Sequence, residues 1–208
     1  MANVSKINGF RPIKHVTGAP YNGQSNIYAV ASGDSTALFV GDVVKLAADG
    51  DANGIQNVTA HAAGTAGTGQ PALGVVVGVI NPKLDPVTGK MSAGSIALDT
   101  PQYVPASTFA LILVADSPDL IFETQSTAAY ALADIGLNAD VGVLANAASK
   151  VSGNSPMFVQ STSPTASATR PVHVVGWSTR IDNEGAAANN KILVQITTHA
   201  QGNAIVGV

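Results

Sequence analysis

The chain has 208 residues, room for one domain or two small ones. It has no cysteine, which excludes disulfides, thiolate metal sites and thiol catalysis, and its net charge of −3 with ten scattered basic residues excludes a general nucleic-acid binder. Only 11% of residues are charged and 5% aromatic, while 46% are hydrophobic, so the apolar content is carried by small side chains such as Ala and Val. A weakly charged surface keeps apart poorly from other proteins and suits a chain largely covered by partners.

In chain order, residues 1–26 read as an extended N-terminal arm, with turn formers every few residues and no sustained periodicity. Pro12 and Pro20 favour extended backbone before them. Phe10 and Tyr21 place scarce aromatics in this irregular stretch, which points to docking. A neighbouring copy or an assembly surface is preferred to the chain's own core, and Phe10, Arg11, Pro12 and Tyr21 are the candidate assembly contacts. Residues 27–208 read as one β-barrel or β-sandwich domain with inserted loops. Strands are expected at 27–30 and 38–40 around the Ser32-Gly33-Asp34-Ser35 turn.

The stretch 39–80 organises the rest. Phe39-Val40-Gly41-Asp42-Val43-Val44-Lys45-Leu46 opens it and Ala72-Leu73-Gly74-Val75-Val76-Val77-Gly78-Val79-Ile80 closes it. Both runs are β-branched, too short for a buried helix, and bounded by turn residues. Gly41-Asp42 and Asp49-Gly50 mark turns, and Gly74 and Gly78 mark a bulge or close backbone approach. Residues 60–70, with Gly64, Gly67 and Gly69, read as a loop without the order of a dinucleotide fingerprint. Residues 81–95 read as a second loop, followed by strands at 95–98 and 102–104.

Residues 109–115 form a continuous apolar run, expected as a central strand. Asp116-Ser117-Pro118-Asp119 is a tight turn, and residues 120–124 return as a strand, making a hairpin or a corner. One short helix is expected near 127–135, capped by Ser126 or Thr127 and ended by Gly136. Further strands are expected at 141–144, 157–159, 172–177 and 192–197, with 161–170 an exposed low-complexity loop and 201–208 a small apolar tail. The fold class is all-β, a compact β-barrel/β-sandwich with one short helix and an extended N-terminal arm.

No catalytic constellation emerges. His15, His61, His173 and His199 share no ligand spacing, and Asp116, Asp119 and Glu123 lack the ligand-rich loop a calcium site needs. No Gly-x-Ser-x-Gly elbow occurs. The expectation is no enzyme, no metal and no cofactor. The first residues lack an apolar signal core and no apolar run approaches the ~18 residues of a membrane span, so a soluble chain synthesised in the cytoplasm, without membrane partners, is expected.

Several stretches carry a resemblance when taken together. They are Ile7-Asn8-Gly9-Phe10-Arg11-Pro12 through Gly18-Ala19-Pro20-Tyr21-Asn22-Gly23, then Val40-Gly41-Asp42-Val43-Val44, then 73–79 and 114–123, then Val174-Val175-Gly176-Trp177 with Arg180-Ile181-Asp182-Asn183-Glu184. In this order they resemble the decoration, or cement, proteins of tailed bacteriophages, over most of the chain. The resemblance implies an all-β module on the capsid exterior of the virion, bound to the major capsid protein of the phage head. It also implies a homo-oligomer, with a trimer preferred and a dimer possible. Two other readings stay open: another virion component such as a head fibre or tail protein, and a small-ligand-binding β-barrel.

Overall fold

The computed structural model describes residues 3–6, 8–61, 71–80, 82–84, 91–96, 101–144, 152–162 and 164–202. Residues 62–70 of the expected loop at 60–70 and 203–208 of the expected tail at 201–208 lie outside these residues. Among the described residues fourteen strands follow in chain order: β1 (Arg11–His15), β2 (Asn26–Val30), β3 (Val43–Gly50), β4 (Gln56–Ala60), β5 (Gly74–Ile80), β6 (Pro82–Leu84), β7 (Met91–Ile96), β8 (Ala110–Ala115), β9 (Leu120–Gln125), β10 (Asn138–Ala139), β11 (Val141–Val143), β12 (Met157–Val159), β13 (Val172–Trp177) and β14 (Lys191–Ile196). The chain is all-β, as its strand-length apolar runs require.

Two bodies share these strands. β2, β4, β3, β5 and β8 close a five-stranded barrel, antiparallel throughout except where β2 meets β4. Beside it lies an antiparallel five-stranded sheet in the order β1-β9-β14-β13-β10. The short β11–β12 and β6–β7 pairs complete the fold.

Side-chain alternation along the barrel strands explains how two cores form from one wall. Successive residues of a strand face opposite sides. Val44 and Val76 therefore fill the barrel interior with Val30, Leu38, Val58, Ile112 and Val114. Their neighbours Val43 and Val75 face outward and pack with Phe122, Val174, Ile192 and Val194 of the sheet. Each fully buried Val contributes about 1.5–3 kcal/mol, so many small side chains replace the missing aromatics. The stretch 39–80 thus holds the seam between the two cores.

The glycines expected to shape β5 do so. A register shift falls between Val76 and Gly78, and a Cβ on Gly74 would lie 2.3 Å from the Ala115 carbonyl oxygen. The 116–119 turn is a corner: it carries the chain from β8 in the barrel to β9 in the sheet.

The structure corrects five expectations. The stretch expected to dock on a neighbouring copy or an assembly surface is held by the chain itself at Phe10 and β1: β1 pairs with β9, and Phe10 is buried in the chain's own core at 1% exposure. The short helix is a single 3₁₀ turn, Leu132–Asp134. Ser126, one of the two expected caps with Thr127, instead donates its hydroxyl to Asn190 Oδ1 at 2.7 Å and bridges Val159, and Ala131 stands at the cap. Buried Tyr130 then fixes the chain in the core, so tertiary anchoring overrides the helix propensity of the alanines. Gly136, at φ +87°, still ends the turn as expected.

The expected loop at 81–95 contains β6 and part of β7, with Pro82 at the first position of its strand, where no ladder N–H is needed. Finally, β3 runs through Asp49-Gly50, and the turn falls at 51–54. There Asp51 Oδ1 accepts from the N–H groups of Asn53 and Ile55, both at 2.8 Å. Leu38, Val40 and Val104 make isolated bridges rather than strands.

Candidate interaction surface

The N-terminal stretch enters the fold through a glycine pair. Gly9 and Gly41 both have positive φ, at +70° and +97°. A Cβ on Gly9 would lie 2.5 Å from the Gly41 oxygen, so the two backbones touch as only glycine permits. Phe10 N–H donates to that oxygen at 2.9 Å, and Gly41 N–H donates to Val76 O at 2.8 Å. The adjoining Asp42 is 2% exposed and accepts from Phe39 N–H at 2.7 Å. Burial pushes its carboxyl up to about 6, against the pull of the Ser155 hydroxyl and the Phe39 N–H.

The candidate contacts separate into two groups. Phe10 belongs to the interior, so it is not an assembly contact in this fold. Arg11 is exposed, Pro12 and Tyr21 are half-buried, and neighbouring Ile13 and Val16 are exposed at 39% and 53%. Residues after β1 fold back along its outer edge: His15 N–H donates to Ala19 O and Tyr21 N–H to Ile13 O, with Lys14 and Pro20 bridged. The opposite edge, at Asn138, is covered by Thr165. Each edge of the five-stranded sheet is thus partly covered by the chain's own backbone.

Two clefts flank the N-terminal stretch. The first, about 450 Å³, is lined by Val4, Lys6, Arg11, Glu123, Arg180, Ile181 and Asp182 among others. Asn3 closes one end: its Nδ2 donates to the carbonyls of Glu184 and Ala188, and its Oδ1 accepts from Glu184 N–H at 2.7 Å. Gln125 reads both segments, donating to Val4 O and Asn189 O and accepting from Lys6 N–H. Arg180 meets Asp182 at 2.9 Å and Glu123 at 3.5 Å, and Lys191 meets Asp182 at 2.6 Å. These cations hold the Asp182 carboxyl well below its usual range. Among the described residues no ion pair is made by Lys6 or Arg11, and Ile181 is fully exposed beside them.

The second cleft, about 470 Å³, lies on the other side, between Tyr21 and the 116–119 corner. Asp116, 7% exposed, accepts from Asn26 Nδ2 at 3.1 and 2.9 Å and from the Tyr28 hydroxyl at 2.6 Å. Gln201 Nε2 in turn donates to the Tyr28 oxygen at 2.9 Å. Burial and the Asp116 carboxylate raise the Tyr28 pKa, so its hydroxyl keeps its proton.

The histidines stay apart. His61 and His199 are buried, His173 meets Asn138 Oδ1 at 2.9 Å, and His15 lines the second cleft. Among the described residues no three His, Cys, Asp or Glu side chains gather where they would hold a metal ion. No described helix is long and apolar enough to cross a membrane.

Sequence reasoning found the Asp116 turn but not Asn26, Tyr28 and Gln201, which meet it from distant parts of the chain. Asn3, Gln125 and Asn183 were missed for the same reason. Their only sequence signal is the presence of amides in otherwise apolar or turn-rich stretches.

No protein-family model, curated protein or solved structure matches this chain.

Proposed function

We propose that the chain is a capsid decoration protein of a tailed bacteriophage, a structural module that binds the outer surface of the shell and stabilises it. The observation that carries this reading is the ordered resemblance of the stretches quoted above. Those stretches adjoin in space. Phe10 meets Gly41, Gly41 meets Val76, Arg11 stands opposite Glu123 in the sheet, and Arg180 pairs with Glu123. A barrel interior filled by Val30, Leu38, Val44, Val58 and Ile112 favours a structural role over a ligand-holding barrel.

In this reading the shell-facing side is the one bearing Arg11, Ile13 and Val16, with the first cleft beside it. The major capsid protein is the partner, and the chain assembles as a homo-oligomer, a trimer in preference to a dimer. Many copies of a modest contact suffice to stabilise a shell. The test is sedimentation of the purified protein with intact heads. Binding in a fixed copy ratio to the main shell protein is expected, and protein left in the supernatant at saturating concentration overturns the reading.

A further inference from the structure

Three Asn-Gly pairs occur in the chain: Asn8-Gly9, Asn22-Gly23 and Asn53-Gly54. An asparagine before glycine can react with its own backbone, because glycine has no side chain to shield its peptide nitrogen. That nitrogen attacks the side-chain carbonyl carbon, Cγ. The reaction needs a free glycine N–H, an amide side chain turned toward it, and room for a ring to close. The fold supplies these unequally.

Asn8-Gly9 has no room. Gly9 is buried, and a Cβ there would lie 2.5 Å from both the Gly41 oxygen and Ser155 Cβ. Asn53-Gly54 is exposed, but both of its reacting groups are committed to Asp51. Gly54 N–H donates to Asp51 O at 3.0 Å, and Asn53 Nδ2 donates to Asp51 Oδ2 at 2.9 Å, which draws the amide back toward the preceding residues. Each bond must break before the ring can close.

Asn22-Gly23 meets every requirement. It is exposed in the loop between β1 and β2, and a Cβ on Gly23 would meet nothing within 4 Å. Among the described residues nothing accepts from the Gly23 N–H. Asn22 Oδ1 accepts from Gln24 N–H at 3.3 Å, a loose Asx turn that folds the side chain forward over Gly23. The same bond polarises the carbonyl under attack. The Tyr21 hydroxyl donates to Gln24 O at 3.0 Å and engages neither reacting group.

We propose that the fold selects Asn22 for spontaneous modification, its own backbone converting it to aspartate and isoaspartate. Hydroxide takes the Gly23 N–H proton, and the nitrogen forms a bond to Cγ. The Cγ–Nδ2 bond breaks, Nδ2 leaves as ammonia with a proton from water, and a succinimide remains. Water then opens the ring at either carbonyl. One opening gives aspartate, the other an isoaspartyl linkage that lengthens the backbone by a methylene. The product places a new negative charge between Tyr21 and Gln24, which line the second cleft. The inference is independent of the decoration reading.

The test is incubation of the full natural chain at mildly alkaline pH, followed by peptide mapping with mass spectrometry. Conversion at Asn22 is expected to run at least about tenfold faster than at Asn53, with Asn8 intact. Two Asn22 products of equal mass and different retention are expected. A parallel incubation in denaturant removes the fold, and there the Asn-Gly pairs are expected to react at similar rates. Asn53 or Asn8 converting as fast as Asn22 in the folded chain overturns the inference. So does an Asn22 that stays intact when folded while the denatured chain converts, and so does an unchanged ranking in denaturant.

Discussion

The N–H of Phe10 donates to the carbonyl of Gly41 at 2.9 Å, and this bond fastens the N-terminal stretch to the turn between the two cores. Phe10 then inserts its ring among Val43, Val75 and Phe122. An isolated stretch of this kind cannot offset the roughly 1–2 kcal/mol per residue lost on ordering its backbone. Here the chain's own core orders it. Phe10→Ala is therefore expected to lower stability by roughly 3–5 kcal/mol in chemical denaturation. Deletion of residues 2–24, which also removes β1, is expected to abolish the cooperative melt. A truncated protein that melts like the full chain overturns this account.

Asp42 makes stability depend on pH in a defined direction. Its folded pKa, about 6, lies above the usual 3.8, so the folded protein holds the proton more tightly than the unfolded chain. The stabilising contribution is full below about pH 4 and is lost as pH rises through about 6. The loss is on the order of 3 kcal/mol at 1.36 kcal/mol per unit. Asp42→Asn keeps an acceptor for Phe39 N–H and removes the titration. Melting temperature measured from pH 4 to 7 is expected to show this decline in the natural chain and not in D42N. Parallel curves for the two proteins count against it.

What the sequence made legible followed from local rules. The strand runs at 74–80 and 110–115, the bulge at Gly78 and the corner at Asp116 each rest on residues adjacent in the chain. What it hid depended on distance. Nothing near Phe10 reveals that Gly41 waits for it, and nothing near Asp116 reveals Tyr28 or Gln201. The alanines at 128–133 have the propensity of a helix, but Ser126 and Tyr130 are committed to the sheet and core. Of the candidate contacts, Arg11 and Tyr21 line clefts while Phe10 is interior, a division that only the register of β1 decides.

Trp177 reports on the loop that walls the first cleft. A Cβ on Gly185 would fall 2.4 Å from the indole ring, whose N–H donates to Tyr130 O at 3.1 Å. Asn183 holds the same loop, donating to Ser178 O and Lys191 O and accepting from Lys191 N–H. Gly185→Val is expected to push the loop off the ring at a cost of about 1–3 kcal/mol. Because Trp177 is the only tryptophan, emission changes read it directly. A red shift with a lowered melting temperature is expected, and an unchanged spectrum shows that the loop accommodates the added volume.

Substitutions on the exposed side of β1 test the proposed shell contact apart from folding. Arg11 and Ile13 lie on the same short strand as half-buried Pro12, just after buried Phe10, yet their own side chains face solvent. Arg11 makes no ion pair among the described residues, and exposed substitutions away from caps and buried networks change stability by about 0.5 kcal/mol or less. The double change Arg11→Gln and Ile13→Asp removes one charge and one apolar contact. On a docked surface it also leaves an unpaired carboxylate, which costs more than the lost contact. Melting is expected to stay close to that of the natural chain, while affinity for intact heads falls at least about tenfold. The comparison with Phe10→Ala is decisive, because that variant loses stability first and binding only as a consequence. Heads that bind the double variant as well as the natural protein would move the shell contact away from β1 and its cleft, to the opposite face of the sheet.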